Sequence, residues 1–274
     1  MAGLKEFDVL GKLGEGAFSI VYRARRKEDG KEYALKKIQF NSLSAREVAN
    51  CLNEVRILAS ISSSYIIGYK DAFYDEPSKC LCIVTEFASG GDLYHRIQSA
   101  KKKGQFLEEN EIWKTVIQMV SGLKVLHGLN IFHRDLKAAN VFLTKDQQSA
   151  KLGDLNVSIV SKNGMAYTQT GTPYYACPEV WNDKPYNSKS DIWSLGCVIY
   201  EMAAQRPPFQ SADMQGLWKK INKGVYDRLP SRYSDDLCWL AGQCLKLNPT
   251  DRPSCDAILK SPQVRKRIHL FPNE

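Results

Sequence analysis

The hydrophobic pattern of the chain changes at Ser89-Gly90-Gly91, and this change limits the folds that the sequence can form. Before it, short segments alternate apolar and polar residues, which is the period of a half-buried strand. After it, apolar residues recur every three or four positions, as on one face of a helix. The sequence therefore predicts an α+β fold with a small β-rich lobe followed by a larger, mainly helical lobe.

Five strands and one long helix are expected in the first lobe. The strands are residues 7–13, 19–25, 32–38, 68–74 and 80–86. Asp29-Gly30 is typical of a tight hairpin turn between the second and third strands. The helix is expected over residues 44–60, where apolar residues at helical spacing follow a serine that can cap the first turn. Two apolar helix faces are expected in the second lobe: Ile112, Val116, Met119, Leu123 and Leu126, and then Ile192, Leu195, Ile199 and Met202.

Composition is that of a globular protein, with 43% hydrophobic and 25% charged residues in 274. Its formal charge of +8 is spread along the chain, and Lys101-Lys102-Lys103 is the one run of three lysines. No aromatic-basic motif accompanies the charge, so no nucleic-acid partner is expected. No apolar run is long enough to cross a membrane, and neither end resembles a signal peptide. The eight cysteines form no C-x-x-C pair, which favours reduced, buried thiols in a cytoplasmic protein.

The segment His133-Arg134-Asp135-Leu136-Lys137-Ala138-Ala139-Asn140 is followed by Asp154-Leu155-Asn156. A base carboxylate, a lysine, an amide and a second carboxylate in this order suit transfer of the γ-phosphoryl of ATP to a hydroxyl. Asp135 would accept the proton of that hydroxyl and Lys137 would reach the phosphoryl group. Asn140 and Asp154 would hold Mg²⁺. An ordinary polar turn is the alternative.

Gly14-Glu15-Gly16 lies between two expected strands, where backbone amides unobstructed by a β-carbon could close over phosphate oxygens. A plain hairpin turn explains this segment better when it is taken alone. Lys36, one strand later, could bridge two phosphates if a carboxylate holds it. Glu54 on the expected helix is the candidate partner, and Glu47 is the alternative as a solvated glutamate.

Together these motifs resemble those of the protein kinase superfamily, and within it the NIMA-related (Nek) serine/threonine kinases. The resemblance extends from Leu10 to about Ile268. The features that mark the NIMA-related group are a leucine in the magnesium-binding triplet and three segments, Ser89-Gly90-Gly91-Asp92-Leu93, Thr168-x-x-Gly171-Thr172-Pro173-Tyr174-Tyr175 and Lys184-Pro185-Tyr186-Asn187-x-Lys189-Ser190-Asp191-Ile192-Trp193.

This resemblance implies a bilobal protein kinase fold, with residues 1–87 as the N-lobe and residues 88–274 as the C-lobe. It implies ATP and Mg²⁺ as cofactors and a hinge at Glu86-Phe87-Ala88. The residues expected to bind the nucleotide are Leu13, Gly14, Glu15, Gly16, Val21, Ala34, Lys36, Thr85, Glu86, Ala88, Asn140, Leu143 and Asp154.

The loop between Asp154 and Glu179 is expected to be regulatory. Thr168 is the expected phosphate acceptor, and Arg134 would pair with that phosphate. Thr172 would pair with Asp135 and Lys137 and shape a peptide groove. The alternative is that the threonines of this loop are ordinary residues in contact with solvent. Glu179 is expected to form a buried ion pair with Arg252.

Lys137 marks serine/threonine kinases, so the expected substrates are serines and threonines of proteins. The resemblance implies cytoskeletal, ciliary or cell-cycle substrates, with a cytoplasmic location that includes the centrosome, basal body or cilium. Nek kinases usually dimerise through C-terminal coiled coils, and this sequence stops at Glu274 without one. This chain is therefore expected to be monomeric, either as the catalytic part of a longer protein or as a short member of the family. The alternatives are an inactive pseudokinase scaffold and a small-molecule kinase. Asn156 departs from the usual glycine of the triplet and predicts an active enzyme with a less mobile triplet.

Overall fold

A computed structural model describes residues 3–16, 19–39, 55, 59–155 and 173–270 of the chain. These residues belong to two compact units, of which the first ends at Ala88 and the second begins at Ser89. Secondary structure separates the units clearly, since the strands of the first unit are followed by the helices of the second. The expected α+β class with a β-rich part before a mainly helical part is confirmed.

The first unit contains an antiparallel sheet of five strands in the order β1-β2-β3-β5-β4. All five strands were expected from the sequence, and their ends move by at most three residues. The strands are β1 Phe7–Gly16, β2 Ser19–Arg26, β3 Glu32–Gln39, β4 Tyr69–Asp75 and β5 Cys80–Glu86. The turn between β2 and β3 is present, with Gly30 at a positive φ of 64°.

The long helix expected over residues 44–60 lies almost wholly outside the described residues. Val55, Ala59 and Ser60 are described, and the first two are helical. Val55 is buried, which agrees with its expected place on the apolar face.

The sheet of the first unit places different side chains on its two faces. One face carries an apolar cluster that contains Ala24, Tyr33, Leu35 and Val84. Alternate residues along a strand point to opposite faces, so the neighbours Ala34 and Lys36 lie on the other face. The sequence alternation thus predicted the strands.

The second unit contains helices of very different length and a short two-stranded sheet. The strands are β6 Val141–Leu143 and β7 Ala150–Leu152, and the helices are α1 Leu93–Lys102, α2 Glu109–Gly128, α3 Pro178–Trp181, α4 Ser188–Ala204, α5 Met214–Lys223, α6 Asp235–Cys244, α7 Cys255–Leu259 and α8 Pro262–Arg265. None of the described helices has the length and apolar character needed to cross a bilayer.

Both expected apolar helix faces are buried, on α2 and α4 respectively. α4 differs from the expectation, because nearly every one of its residues is buried and not only one stripe. A helix that is buried on all sides lies in the middle of a core. Consequently its polar residues, including Asp191 and Glu201, are enclosed as well.

The cysteines of the described residues are all unpaired, and each of them except Cys238 is buried. Burial raises the pKa of the Cys177 thiol to about 12. The expectation of buried thiols is confirmed for these residues, whereas Cys51 lies outside them.

Gly90 joins the start of the second unit to the two-stranded sheet. Its amide donates to Leu143 O at 3.0 Å, and Leu143 N donates to Gly91 O at 2.8 Å. A β-carbon at Gly90 would lie 2.1 Å from Thr144 O and 2.6 Å from Leu143 O. Only glycine allows this close approach of two backbones.

Replacing Gly90 by alanine tests this close contact. We expect Gly90→Ala to lower the free energy of unfolding by about 2 kcal/mol or more, because the new methyl group must push a backbone segment away. Gly128→Ala is the matched control, since a β-carbon there meets nothing within 4 Å. Gly128→Ala should raise the free energy of unfolding by no more than about 1 kcal/mol, because alanine favours a helix more than glycine does. Equal urea unfolding curves for the two variants would contradict the proposed contact.

Candidate active site

Three of the predicted site residues form one hydrogen-bonded cluster between α2 and β6. The Lys137 ammonium donates to Asp135 Oδ2 at 2.8 Å. Asn140 Nδ2 donates to Asp135 O at 2.7 Å and to Asp135 Oδ2 at 3.0 Å. The carboxylate of Asp135 therefore lies between a cation and an amide, and both donors hold its orientation.

Asp154 is brought to this cluster by the pairing of β6 with β7. The pairing aligns Val141 with Leu152, and Gly153 N donates to Asn140 O at 3.0 Å. Asp154 follows Gly153 directly and has a positive φ of 51°. Such a backbone is unfavourable for most residues, although aspartate tolerates it better than most, and strain of this kind concentrates at functional sites.

The chemistry of these side chains suits Mg²⁺, which prefers oxygen ligands and is held by one or two protein groups together with phosphate oxygens. The amide nitrogen of Asn140 is used by Asp135, which leaves the amide oxygen for a cation. Asp154 supplies a carboxylate. The residues present therefore fit a magnesium site of the predicted composition.

Asp191 on α4 is a functional residue to which the sequence analysis gave no role. It is fully buried, and its carboxylate accepts hydrogen bonds from His133 N at 3.0 Å, Arg134 N at 3.1 Å and the Tyr186 hydroxyl at 2.5 Å. His127 Nε2 lies 2.7 Å from Asp191 Oδ2. An acidic residue within an apolar helix pattern is the sequence signal that could have identified it.

These bonds fix the two residues immediately before Asp135. Arg134 has a positive φ of 66°, and the carboxylate that receives its amide stabilises this backbone. Burial acts to raise the pKa of Asp191, but hydrogen bonds from His127 and Tyr186 and the nearby imidazole of His133 outweigh it, so the pKa lies below its ordinary value. Asp191 is thus ionised at neutral pH, and its hydrogen bonds hold the backbone of the two residues that precede Asp135.

Lys137 also lines a cavity of about 370 Å³ within the second unit. Tyr174, Tyr175 and Glu201 share this cavity. The Tyr175 hydroxyl donates to Glu201 Oε2, and burial raises the pKa of the Glu201 carboxyl. Neither Tyr175 nor Glu201 was assigned a role from the sequence, because their contact joins segments far apart in the chain.

The expected ion pair of Glu179 with Arg252 is present and buried. Arg252 Nη1 lies 2.6 Å from Glu179 Oε1, and Nη2 lies 2.8 Å from Oε2. Burial acts to raise the pKa of Glu179, but the guanidinium holds it below the ordinary value. Arg252 also stacks over Trp193, at 5.0 Å from the ring centroid. This bidentate contact ties α3 to the segment before α7.

Strand register brings several predicted nucleotide contacts to one face of the first unit. Val21 pairs with Lys36, and Ala34 pairs with Thr85. These four residues lie on the face opposite the apolar cluster. Gly14 pairs with Val21 near the end of the pairing between β1 and β2. Leu13, the residue before Gly14, is exposed.

Some predicted residues lie outside the described part of the chain. They are Glu54 (the expected partner of Lys36), Asn156, Thr168 and Thr172. Among the other predicted contacts, Leu143 is buried in β6, whereas Glu86 and Ala88 are partly exposed.

A sequence profile of the protein kinase domain matches residues 7–264, so the chain belongs to the protein kinase family. Its similarity is to the NIMA-related group. It is 39% identical to the mouse serine/threonine-protein kinase Nek1 over 98% of this chain and 22% of that protein. It is 37% identical to human Nek2 over 95% of this chain and 60% of that protein.

A probable serine/threonine-protein kinase nek2 of Dictyostelium discoideum is 36% identical over 93% of this chain and 62% of that protein. The chain thus spans between 22% and 62% of the length of these relatives. The expected family and the kinase fold class are confirmed.

Neutralising Asp191 should destabilise the second unit in a pH-dependent way. We expect Asp191→Asn to lower the free energy of unfolding at pH 7 by about 3 kcal/mol, because buried donors lose their anion. The folded pKa of Asp191 is depressed, so its contribution is present above the unfolded value of about 3.9 and is lost as the pH falls below it. Urea unfolding measured from pH 8 down to pH 3.5 should show the difference shrinking only below about pH 4.

The control for this experiment is Asp227→Asn, which removes an exposed carboxylate that pairs with Arg206 at 2.6 Å. Exposed pairs contribute little, so a change below about 1 kcal/mol is expected. An equal loss in both variants at pH 7 would show that Asp191 is not an anchor.

Proposed function

We propose that this protein is an ATP- and Mg²⁺-dependent serine/threonine kinase that transfers the γ-phosphoryl of ATP to hydroxyls of protein substrates. The observation that carries the proposal is the hydrogen-bonded cluster of Asp135, Lys137 and Asn140 beside Asp154, in a chain of the protein kinase family. Residues 1–274 form the kinase domain, with residues 1–87 as the N-lobe and residues 88–274 as the C-lobe.

Asp135 orients the substrate hydroxyl and accepts its proton as the oxygen attacks. Its Oδ2 accepts hydrogen bonds from Lys137 and Asn140, which hold the carboxylate in one orientation. Lys137 places a positive charge where negative charge develops on the transferring group. Positioning and charge stabilisation are the main requirements of phosphoryl transfer.

Asn140 and Asp154 bind the magnesium ion through an amide oxygen and a carboxylate. When bound, Mg²⁺ neutralises phosphate charge and orients the phosphates for in-line attack. The residues themselves are held by the paired strands β6 and β7 and by the bond from Gly153 N to Asn140 O. This support makes the spacing of the two ligands a property of the folded chain.

The nucleotide is bound by the face of the first sheet that lies opposite its apolar cluster. Lys36 contacts phosphate oxygens and is paired with Glu54, and Ala34 and Thr85 lie beside the base. The register of β3 against β2 and β5 supports this assignment, because it groups Val21, Ala34, Lys36 and Thr85 on one face. Gly14, Glu15 and Gly16 cover the phosphates through backbone amides, and Leu13, Glu86 and Ala88 are the other proposed contacts of the first unit. Leu143 is a proposed contact of the second unit.

Activity is regulated through phosphorylation of Thr168, with Arg134 as the binding partner of the phosphate. Arg134 is exposed, and its backbone is held by Asp191, so its guanidinium can reach a neighbouring anion. Thr172 pairs with Asp135 and Lys137. The cavity that Lys137 shares with Tyr174 and Tyr175 supports a peptide substrate at this position.

The substrates are serines and threonines of cytoskeletal, ciliary or cell-cycle proteins, in line with the similarity to Nek kinases. The chain acts as a monomer in the cytoplasm, at the cytoskeleton, centrosome, basal body or cilium. No nucleic-acid or membrane partner is part of the proposal.

The first test is Mg²⁺- and ATP-dependent phosphorylation of casein or a basic protein. Wild-type protein should incorporate phosphate on serine or threonine, and Asp135→Ala should reduce turnover at least about 100-fold because the base is lost. The variant should still bind Mg²⁺·ADP, since Asp135 is not proposed as a ligand of either. Asp256→Ala, which removes an exposed carboxylate that pairs with Lys124 at 2.8 Å, is the control and should keep full activity.

The pseudokinase scaffold is the rival function, and the same assay separates it. Wild-type protein that binds ATP without transferring phosphate would reject the kinase proposal in favour of a scaffold. Turnover that survives in Asp135→Ala would instead reject the assignment of the base.

Regulation is tested by mapping autophosphorylation with mass spectrometry and by comparing Thr168→Ala with Thr170→Ala. We expect phosphate on Thr168, and we expect Thr168→Ala to be roughly tenfold less active than the autophosphorylated wild type, because one charge-assisted hydrogen bond contributes about 1.5 kcal/mol. Thr170→Ala should retain wild-type activity. The reverse pattern would move the regulatory site to Thr170.

A further inference from the structure

Gln118 connects α2 to the hairpin that carries both magnesium ligands. Its side chain is 5% exposed. Gln118 Oε1 accepts a hydrogen bond from Ala150 N at 2.8 Å, and Nε2 donates to Gln148 O at 3.2 Å. A buried carboxamide therefore binds the backbone of the hairpin twice, just where β7 begins.

The hairpin needs such a connection because it is very small. Its strands have three residues each, and an isolated two-stranded hairpin has little stability of its own. Ala150 is buried, at 2% exposed, so its amide requires a partner inside the protein. Gln118 is that partner.

The position of the hairpin determines the position of the ligands. Asn140 immediately precedes β6, and Asp154 follows β7 after a single glycine. Asp154 also has the positive φ of 51°, a conformation that persists only where the surrounding structure enforces it. A shift of β7 on α2 would therefore move Asp154 relative to Asn140.

We propose that Gln118 is a positioning residue for the magnesium site. By binding Ala150 N and Gln148 O, it fixes β7 on α2 and holds Asp154 at the correct spacing from Asn140. Gln118 itself touches neither metal nor substrate. This inference rests on the proposed function, because it takes Asn140 and Asp154 as the metal ligands.

The test compares Gln118→Met with a matched variant of the same helix. Methionine keeps the length and approximate volume of the side chain and removes both hydrogen bonds. Thr115→Val is the control, because Thr115 is also buried on α2, at 7% exposed, and its hydroxyl donates only to Glu111 O, at 2.9 Å, within the helix. Both variants lose buried hydrogen bonds, but only one of them releases the hairpin.

Two readouts do not depend on turnover. The first is the Mg²⁺ concentration that half-saturates ADP binding, measured by calorimetry. Loss of a group that orients metal ligands typically lowers metal affinity 10- to 100-fold, so we expect a rise of about tenfold in Gln118→Met. The second is amide hydrogen exchange in nucleotide-free protein, which should become faster at residues 150–154.

Thr115→Val should leave both readouts within about twofold of wild type, whatever its melting temperature. ADP binding measured with chelator in place of magnesium should be the same in all variants.

An unchanged magnesium midpoint in Gln118→Met, with wild-type ADP binding still dependent on the metal, would overturn this inference alone. Equal shifts in Gln118→Met and Thr115→Val would also overturn it, by reducing the effect to general destabilisation. Wild-type protein whose ADP binding ignores magnesium would overturn the inference and the proposed function together.

Discussion

The hydrogen bonds of the buried Asp191 carboxylate hold the chain segment that leads to Asp135, the proposed base. An uncompensated charge in a protein interior is very unfavourable, and this one is compensated by two backbone amides, a phenol and an imidazole. Because those amides belong to the residues before Asp135, satisfying the charge of Asp191 also sets the course of the chain at the proposed base. Stability and site geometry therefore have the same physical origin.

Polar groups buried among helices hold the rest of the second unit in a similar way. Glu179 and Arg252 join α3 to the segment before α7, Tyr175 meets Glu201 beside Lys137, and Gln118 meets the β7 backbone. Each contact satisfies a group that would be costly to bury alone. Apolar packing supplies most of the folding free energy, whereas these directional contacts select one arrangement of the backbone around the proposed active site.

The sequence predicted the elements well and the contacts between them poorly. Strand alternation identified all five strands of the first sheet, and the helical period identified the buried faces of α2 and α4, because both signals are local. The cluster of Asp135, Lys137 and Asn140 was also predictable, since the three residues lie within six positions of one another. Asp191 lies 64 positions from His127 and Gln118 lies 32 positions from Ala150, and no periodicity reveals partners at such separations. For the same reason the sequence does not reveal the contact of Glu201 with Tyr175, because Glu201 lies within an apolar helix pattern.

The backbone of Asp154 has a consequence for the amino acids that this position can accept. Glycine or asparagine would adopt its left-handed conformation readily but would lose the negative charge, and glutamate would keep the charge but fit that conformation less well. Under the proposed function, a requirement of conformation and a requirement of charge thus meet in a single side chain. A saturation library at this codon should therefore recover active enzyme with aspartate alone, although many of the rejected variants would remain folded.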